Sequence, residues 1–324
     1  MEKYKQDPPF AIQLEPTEGC NLYCDFCGLQ GIRSKAGENY KFMTPSTAQT
    51  IADDIRAERW TSRIEFAMHG EPTLNPNLVE IVDIFRRTLP KNQLMVTSNG
   101  GGLLADPSKV WRLFDAGLNI LALDKYERVL IVDKLLAKLR TAPQTPAIPI
   151  IHYPQDGLNN SPHHRWPKGT QVIIVVQDIL EAQAGGHATL TNHCGSGAPL
   201  NNKAEGKRCA KPFRELAVRW DGTVAGCCND WRGVYKVGNV KEQVTLGQLW
   251  QNAAFTAMRR KLYYGERDFG ACKGCDATSY RVGLLPDKLG KVVLPKATED
   301  DYVAIKQATR GRPLTVPVKV RWEK

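Results

Sequence analysis

Residues 11–27 read Ala11-Ile12-Gln13-Leu14-Glu15-Pro16-Thr17-Glu18-Gly19-Cys20-Asn21-Leu22-Tyr23-Cys24-Asp25-Phe26-Cys27, a short apolar strand that runs into three closely spaced cysteines. The spacing is C-x3-C-x2-C, with an aromatic residue just before the last cysteine. Three thiolates this close can hold three irons of a 4Fe-4S cube and leave the fourth iron open. An open iron is a place for a substrate or cofactor to bind, whereas a fully ligated cluster only passes electrons. A zinc knuckle or a set of reduced core cysteines would use the same residues. Zinc asks for a fourth nearby ligand, however, and no His or Cys lies between Gly28 and Met68.

Outward from this loop, strand-like apolar runs alternate with helical patterns. Thr44-Pro45 supplies an N-cap and a first-turn proline, opening a helix to about Trp60. Arg63–Met68 reads as a second strand ending at His69-Gly70-Glu71-Pro72, and a helix near Asn77–Arg87 leads to strand Gln93–Thr97 and the turn Ser98-Asn99-Gly100-Gly101-Gly102. Asp106-Pro107 repeats the cap-plus-proline start for a helix to about Ala116. Strand Asn119–Leu123, helix Glu127–Arg140, strand Ile148–His152 and the apolar Val172–Val176 bring the total to about six strand-helix units. Such alternation predicts an α/β fold with a parallel sheet. Six units are too few for an eight-fold barrel, so the expected architecture is an open, partial (β/α)6 barrel. In barrels chemistry sits at the C-terminal strand ends, where the cysteine loop, the Gly-Glu-Pro turn and the Ser-Asn-Gly turn all fall.

The chain has 324 residues, 42% of them hydrophobic, enough for one large domain and a smaller one. It has no run of 18 apolar residues, and Met1–Pro9 lacks the apolar core of a signal peptide, so the expectation is a cytoplasmic protein with no membrane partner. Nine cysteines without an export signal suggest metal binding over disulfides. The formal charge is +10, and Arg281–Lys324 holds ten basic and five acidic residues. A basic surface favours phosphate-rich partners, although a generic soluble surface with lysine and arginine to spare looks the same. Residues 154–170 and 187–207 read as irregular stretches, the second as a linker. The expected layout is a barrel domain 1–186, linker 187–207, auxiliary domain 208–285 and basic extension 286–324.

The cysteine spacing with its aromatic, followed after the second strand by His69-Gly70-Glu71-Pro72-Thr73-Leu74, resembles the radical S-adenosylmethionine (SAM) enzymes. The resemblance implies that Cys20, Cys24 and Cys27 ligate a 4Fe-4S cluster whose open iron is chelated by SAM. It implies that Gly70 and Glu71 meet the SAM amino group, with His69 standing where the family's first glycine usually lies and facing the substrate. Phe26 would meet the adenine, and Ser98 with Asn99 the methionine or ribose. Where many relatives have Ser-Leu-Asp this chain has Ala122-Leu123-Asp124, which leaves Asp124 or Lys125 for the ribose. An external one-electron reductant such as flavodoxin or ferredoxin would reduce the cluster, SAM would be cleaved to a 5'-deoxyadenosyl radical, and the radical would abstract a substrate hydrogen. The protein's share is orientation and shielding.

Cys209, Cys227, Cys272 and Cys275 follow in a C-x17-C-x44-C-x2-C arrangement. Leu216–Gly226 contains Asp221-Gly222 between two short strand patterns, a hairpin signal, and a helical stretch runs over about Thr245–Tyr263. Hairpin, helix and four cysteines resemble the Twitch domain, the short form of the SPASM auxiliary-cluster domain, and imply a second, fully ligated 4Fe-4S cluster in a small α+β domain. A structural zinc would be chemically satisfied by the same four thiolates. Cys228 is an alternative to Cys227, and Cys194 reads as an ordinary thiol.

Two reactions follow from the resemblance. One rests on the basic C-terminal region and resembles the small radical SAM isomerases of phage thymidine hypermodification, which implies isomerisation of an amino-acid-modified thymine in DNA. The Twitch spacing resembles the aminocyclitol dehydrogenases, which implies instead a two-electron oxidation of an amino-sugar alcohol or a peptide side chain. Candidates for substrate contact or proton transfer are His69, Asp230 and Tyr153, and behind them His152, His163, His164 and Trp231, each also compatible with a packing role.

Overall fold

The structure, a computed structural model, describes residues 6–24, 26–31, 39–126, 130–141, 148–153, 171–179, 191–197, 206–277 and 294–309. His163 and His164 lie outside them. In chain order the strands are β1 (Ala11–Leu14), β2 (Thr17–Glu18), β3 (Lys41–Phe42), β4 (Arg63–Phe66), β5 (Leu94–Ser98), β6 (Ile120–Lys125), β7 (Ile150–Tyr153) and β8 (Ile173–Asp178). There follow β9 (Glu215–Val218), β10 (Thr223–Ala225) and β11 (Lys236–Asn239). Nine of them make one sheet in the order β11-β10-β9-β1-β4-β5-β6-β8-β7, while β2 and β3 pair separately.

The stretch from β1 to β7 is parallel throughout, as the strand-helix alternation predicts. Apart from the edge strand β7, its strands are largely buried on both faces. Ile12, Leu14, Ile64, Phe66, Val96 and Leu123 belong to one core cluster with the buried residues of helices α1 (Pro45–Ala57) and α2 (Leu78–Thr88). The alternate residues Met95, Ile120, Ala122, Ile173 and Val175 make a second apolar cluster on the inner face. In the same alternation Gln13, Glu15, Glu65 and Asp124 are buried polar groups on that face. The α1 start is the one read from sequence: Thr44 accepts the Thr47 backbone N–H at 3.2 Å, and Pro45 is the first helical residue.

Several expectations are corrected. The sheet order is not the chain order at its far end, where β8 inserts between β6 and the edge strand β7, and local patterning carries no signal for that. The triple glycine is only in part a turn. Gly100, at φ 79°, reverses the chain, and helix α3 (Gly101–Ala105) begins at once, ahead of α4 (Ser108–Asp115). A Cβ on Gly101 would stand 2.4 Å from Asn21 Nδ2, so glycine lets this helix start approach the cysteine loop. Helix α5 covers Ile131–Arg140, residues 127–129 being outside the described set.

Beyond the short helix α6 (Lys211–Arg214), the hairpin β9–β10 does not stand apart: β9 pairs in parallel with β1, Ala11 opposite Glu215 and Leu14 opposite Val218. The single helix expected over 245–263 is two, α7 (Leu246–Trp250) and α8 (Ala253–Tyr263). Asn252 between them caps α8 by accepting the Phe255 N–H at 2.9 Å, and Thr245 with Gln248 forms a capping box on α7. Within the expected basic extension, α9 (Glu299–Thr309) opens with three acidic residues and packs on α8, with Arg260 2.8 Å from Asp301. Among the described residues no helix is long and apolar enough to cross a membrane.

Candidate active site

Three turns at the C-terminal ends of β1, β4 and β5 are laced together. Gly19 and Gly70 form an isolated parallel bridge, in which Glu71 N donates to Gly19 O at 2.9 Å and Gly19 N to His69 O at 3.3 Å. A Cβ on Gly70 would lie 2.2 Å from Thr17 O and 2.4 Å from Gly19 O, so the close approach admits only glycine. The buried carboxylate of Glu71 accepts from Thr73 N (3.0 Å) and Ser98 Oγ (2.7 Å) on one oxygen and from Asn99 N (2.8 Å) on the other, with the Thr73 hydroxyl as a further donor. Burial nevertheless outweighs these bonds and raises its pKa. Its structural task is to hold the Gly-Glu-Pro and Ser-Asn-Gly turns together.

Asn99 extends the lacing to the cysteines. Its Nδ2 donates to Asn21 Oδ1 at 2.9 Å and approaches Cys20 Sγ at 3.4 Å, where Leu22 N also points, at 3.4 Å. Two N–H donors aimed at one sulfur favour the thiolate, the form that ligates iron. Cys24 and Cys27 occupy the same loop, closed by Cys27 N donating to Cys24 O at 3.0 Å. The Phe26 ring packs on Tyr126, centroids 5.6 Å apart, and the Tyr126 hydroxyl donates to Asp124. Cys20, Ser98, Asn99, Gly70 and Glu71 are thus brought together, with Phe26 and Asp124 joined through Tyr126. Asn21 was not among the sequence candidates, although its place beside Cys20 in the loop was visible.

The catalytic candidates fall elsewhere. His69 is buried with both ring nitrogens engaged, Nδ1 2.6 Å from Glu15 Oε1 and Nε2 2.7 Å from Cys228 O, so its partners are protein groups. Asp230 is buried and accepts the Val234 and Tyr235 N–H groups at 2.9 and 2.7 Å, and burial raises its pKa. Tyr153 ends the edge strand β7 opposite Gln177, and His152 on that strand is exposed. Trp231 lies between His69 and His193, each ring centroid 4.8 Å away and the ring planes tilted by 48° and 56°, and packs on Gly28, whose Cβ would meet it at 2.6 Å. Burial, then the charges of His69 and Lys211, lower the His193 pKa to about 4, which keeps its imidazole neutral.

Cys209, Cys227, Cys272 and Cys275 line one cavity, with Cys194 a fifth thiol in its wall. Cys228 does not line it; its sulfur lies 3.3 Å from Lys211 Nζ and 3.5 Å from Glu215 Oε2. Lys211 is buried and paired with Glu215 at 2.9 Å; burial lowers its pKa, but Cys228 and Glu215 outweigh that and hold it charged. Arg267 borders the same cavity and clasps its rim through Lys207 O and Ala277 O, both at 2.9 Å. Four soft thiolates around one buried cavity flanked by two cations fit an iron-sulfur cube. Lys211 escaped the sequence reading, since its Lys-x3-Glu pairing with Glu215 resembles any surface helix pair.

Comparison with known proteins adds the following. Residues 14–124 match the radical SAM superfamily, and residues 209–276 match SPASM, an iron-sulfur cluster-binding domain. The chain is 24% identical over 270 residues to an S-adenosyl-L-methionine-dependent 2-deoxy-scyllo-inosamine dehydrogenase of Niallia circulans, covering 83% of this chain and 93% of that protein. It is 29% identical over 112 residues to a GTP 3',8-cyclase of Pectobacterium atrosepticum, covering 35% of this chain and 32% of that protein. Among solved structures, BtrN in complex with AdoMet and 2-DOIA superposes with a TM-score of 0.66 at 20% identity, covering 87% of this chain and 99% of that one.

Proposed function

We propose that this chain, whose residues 14–124 match the radical SAM superfamily and 209–276 the SPASM iron-sulfur domain, binds SAM and two 4Fe-4S clusters and is a SAM-dependent dehydrogenase that oxidises an alcohol carbon of a small polar molecule of the amino-sugar or aminocyclitol class. The observation that carries this reading is length. The relative named as a dehydrogenase matches over 93% of its own length and 83% of this chain, whereas the cyclase matches about a third of this chain. The isomerase reading rested on charge in Arg281–Lys324, of which 281–293 and 310–324 lie outside the described residues, and α9 within it opens acidic. The dehydrogenase reading is therefore preferred.

When bound, SAM and its cluster supply hydrogen-atom abstraction from an unactivated carbon, and the auxiliary cluster supplies a site for one electron. Cys20, Cys24 and Cys27 would hold the first cluster, and the Gly70-Glu71 turn, fixed by Ser98 and Asn99, would offer its backbone to the SAM amino group. Oxidation of CH–OH to C=O removes one hydrogen atom, one proton and one electron. Cys209, Cys227, Cys272 and Cys275 hold the second cluster, and the cationic Lys211 and Arg267 beside them favour its more negative, reduced state, which suits an electron acceptor. An external flavodoxin or ferredoxin supplies the electron that starts each turnover.

Anaerobically reconstituted protein with SAM and dithionite is to be offered aminocyclitols and amino-sugar alcohols. Substrate-dependent 5'-deoxyadenosine with a product lighter by two hydrogens supports the proposal. A product of unchanged mass, obtained with modified-thymine DNA, overturns it in favour of isomerisation.

A further inference from the structure

Thr97 is the last residue but one of β5, and Gln177 holds the same place on β8, so both sit at C-terminal strand ends. By strand alternation they follow Met95 and Val175 on the inner face, the face of the second apolar cluster. Among the described residues, Thr97 Oγ1 and Gln177 Nε2 are shielded from solvent and make no hydrogen bond. Ala122 stands opposite both Thr97 and Val175, and it has no polar side-chain atom to offer the hydroxyl. Opposite Gln177 on β6 is Asp124, whose carboxylate accepts from the Tyr126 hydroxyl. A shielded polar atom without a partner costs stability, so its persistence asks for a reason. Two strand spacings and two residues of rise separate Thr97 from Gln177, about 12 Å between backbones. The two side chains and one six-membered ring, hydrogen-bonded at both ends, can bridge that gap. The surroundings offer no cation for a phosphate: Arg63, at the far end of β4, is bonded to Glu65 at 2.8 Å, and Lys125 is taken up by Asp133 and Asp178 at 3.5 and 3.3 Å. A hydroxyl and an amide beside a carboxylate suit hydroxyl and ammonium groups instead.

We propose that Thr97 and Gln177 are a specificity-determining pair, each hydrogen-bonding one hydroxyl or amino group of a polyhydroxylated ring held at the barrel mouth. The ligand class rests on the dehydrogenase reading, while the pair itself rests on the two unpartnered atoms. Desolvation of both atoms is already incurred in the folded protein, so a ring that satisfies them gains most of each hydrogen bond as affinity. The same logic makes the site selective, because a ring lacking one of the two groups leaves a shielded polar atom unpaired. SAM also carries ribose hydroxyls, and the two ligands are separated by titrating each.

The anaerobically reconstituted full chain, saturated with SAM and held without reductant, is to be titrated calorimetrically with scyllo-inositol and with glucosamine. Thr97→Val, which keeps the shape and removes the hydroxyl, and Gln177→Leu are each expected to weaken binding of at least one ring about five- to tenfold. Both should keep the wild-type iron content and SAM affinity. Their melting temperatures should equal or exceed that of wild type, since each variant removes an unpartnered polar atom, whereas a structural role would lower them. Thr97→Ser, which retains the hydroxyl, is expected to bind within about twofold of wild type. Wild-type affinity for the rings in both variants overturns the proposal, as does a wild-type protein that binds neither ring. Weakened SAM binding with intact ring binding would assign the pair to the cofactor and overturn it too. Ring binding that depends on the pair, without any product lighter by two hydrogens, would uphold the pair and sink the dehydrogenase reading alone.

Discussion

His69 Nε2 lies 2.7 Å from the carbonyl oxygen of Cys228, so the residue that opens the Gly-Glu-Pro turn is bonded to the Cys227–Cys228 loop. Its Nδ1 holds Glu15, at the end of β1, at 2.6 Å. This one ring ties the first barrel strand, the Gly-Glu-Pro turn and the second cluster domain. His69→Leu keeps the volume roughly and removes both bonds, leaving Glu15 buried with Arg219 as its remaining charged partner. A loss of about 3 kcal/mol is expected, read from the shift in denaturant midpoint, with substrate specificity unchanged. A change of specificity at unaltered stability would restore His69 to the substrate pocket.

The same contact predicts acid lability. Burial pushes the Glu15 carboxyl up, but the charge and hydrogen bond of His69, and then Arg219, outweigh it and hold it below its ordinary value of 4.5. A depressed folded pKa stabilises above the unfolded value and loses that contribution as pH falls through the folded one. Unfolding free energy should therefore decline below about pH 4.5, and the decline should be shallower in His69→Leu than in wild type. Equal slopes in the two proteins would remove Glu15 from the explanation.

Gly70→Ala places a methyl group 2.2 Å from one backbone oxygen and 2.4 Å from another, and neither belongs to a side chain that can swing away. The Gly19–Gly70 bridge must open. The expected cost is about 1–3 kcal/mol, with SAM affinity lost while the auxiliary cluster remains. Calorimetric titration of SAM into the reconstituted variant measures the effect, and wild-type affinity would contradict it.

Glu71→Gln tests the lacing of the turns by valence. Thr73 N donates to one carboxylate oxygen and Asn99 N to the other, so an amide in either orientation sets an NH2 against a backbone N–H. One buried donor loses its acceptor, at about 1–3 kcal/mol. The variant should fold and bind iron but show a raised KM for SAM, since the 98–99 turn shifts. An unchanged KM would mean that the turn is held by other contacts.

Cys227 lines the auxiliary cavity and Cys228 faces Lys211, which separates two neighbours that the sequence could not. Cys227→Ser is expected to lose about half of the iron of a two-cluster protein and Cys228→Ser almost none. The reverse result would exchange their roles.

How much was legible in the sequence depended on how local each signal was. The cysteine loop, the Thr44-Pro45 helix start and the Asp221-Gly222 hairpin are contiguous, and each is found where its residues predict. His69 was read as a substrate contact because its partners, Glu15 and Cys228, are 54 and 159 residues away. Asn192 clamps a loop more than 80 residues downstream, which no local pattern discloses. The break at Asn252 was missed because the apolar periodicity runs through it, although an Asn at a helix start is a recognised cap.

The parallel pairing of β1 with β9 has a consequence for how the chain comes into being. β1 emerges from the ribosome first among the barrel strands, yet its partner on one side follows some two hundred residues later. Until then β1 presents an open edge that any other strand can pair with, and its closure is a contact of high sequence separation. A protein truncated before residue 215 would carry that edge permanently. It should therefore aggregate instead of yielding an isolated SAM-binding barrel, and recombinant production is best attempted with the whole chain.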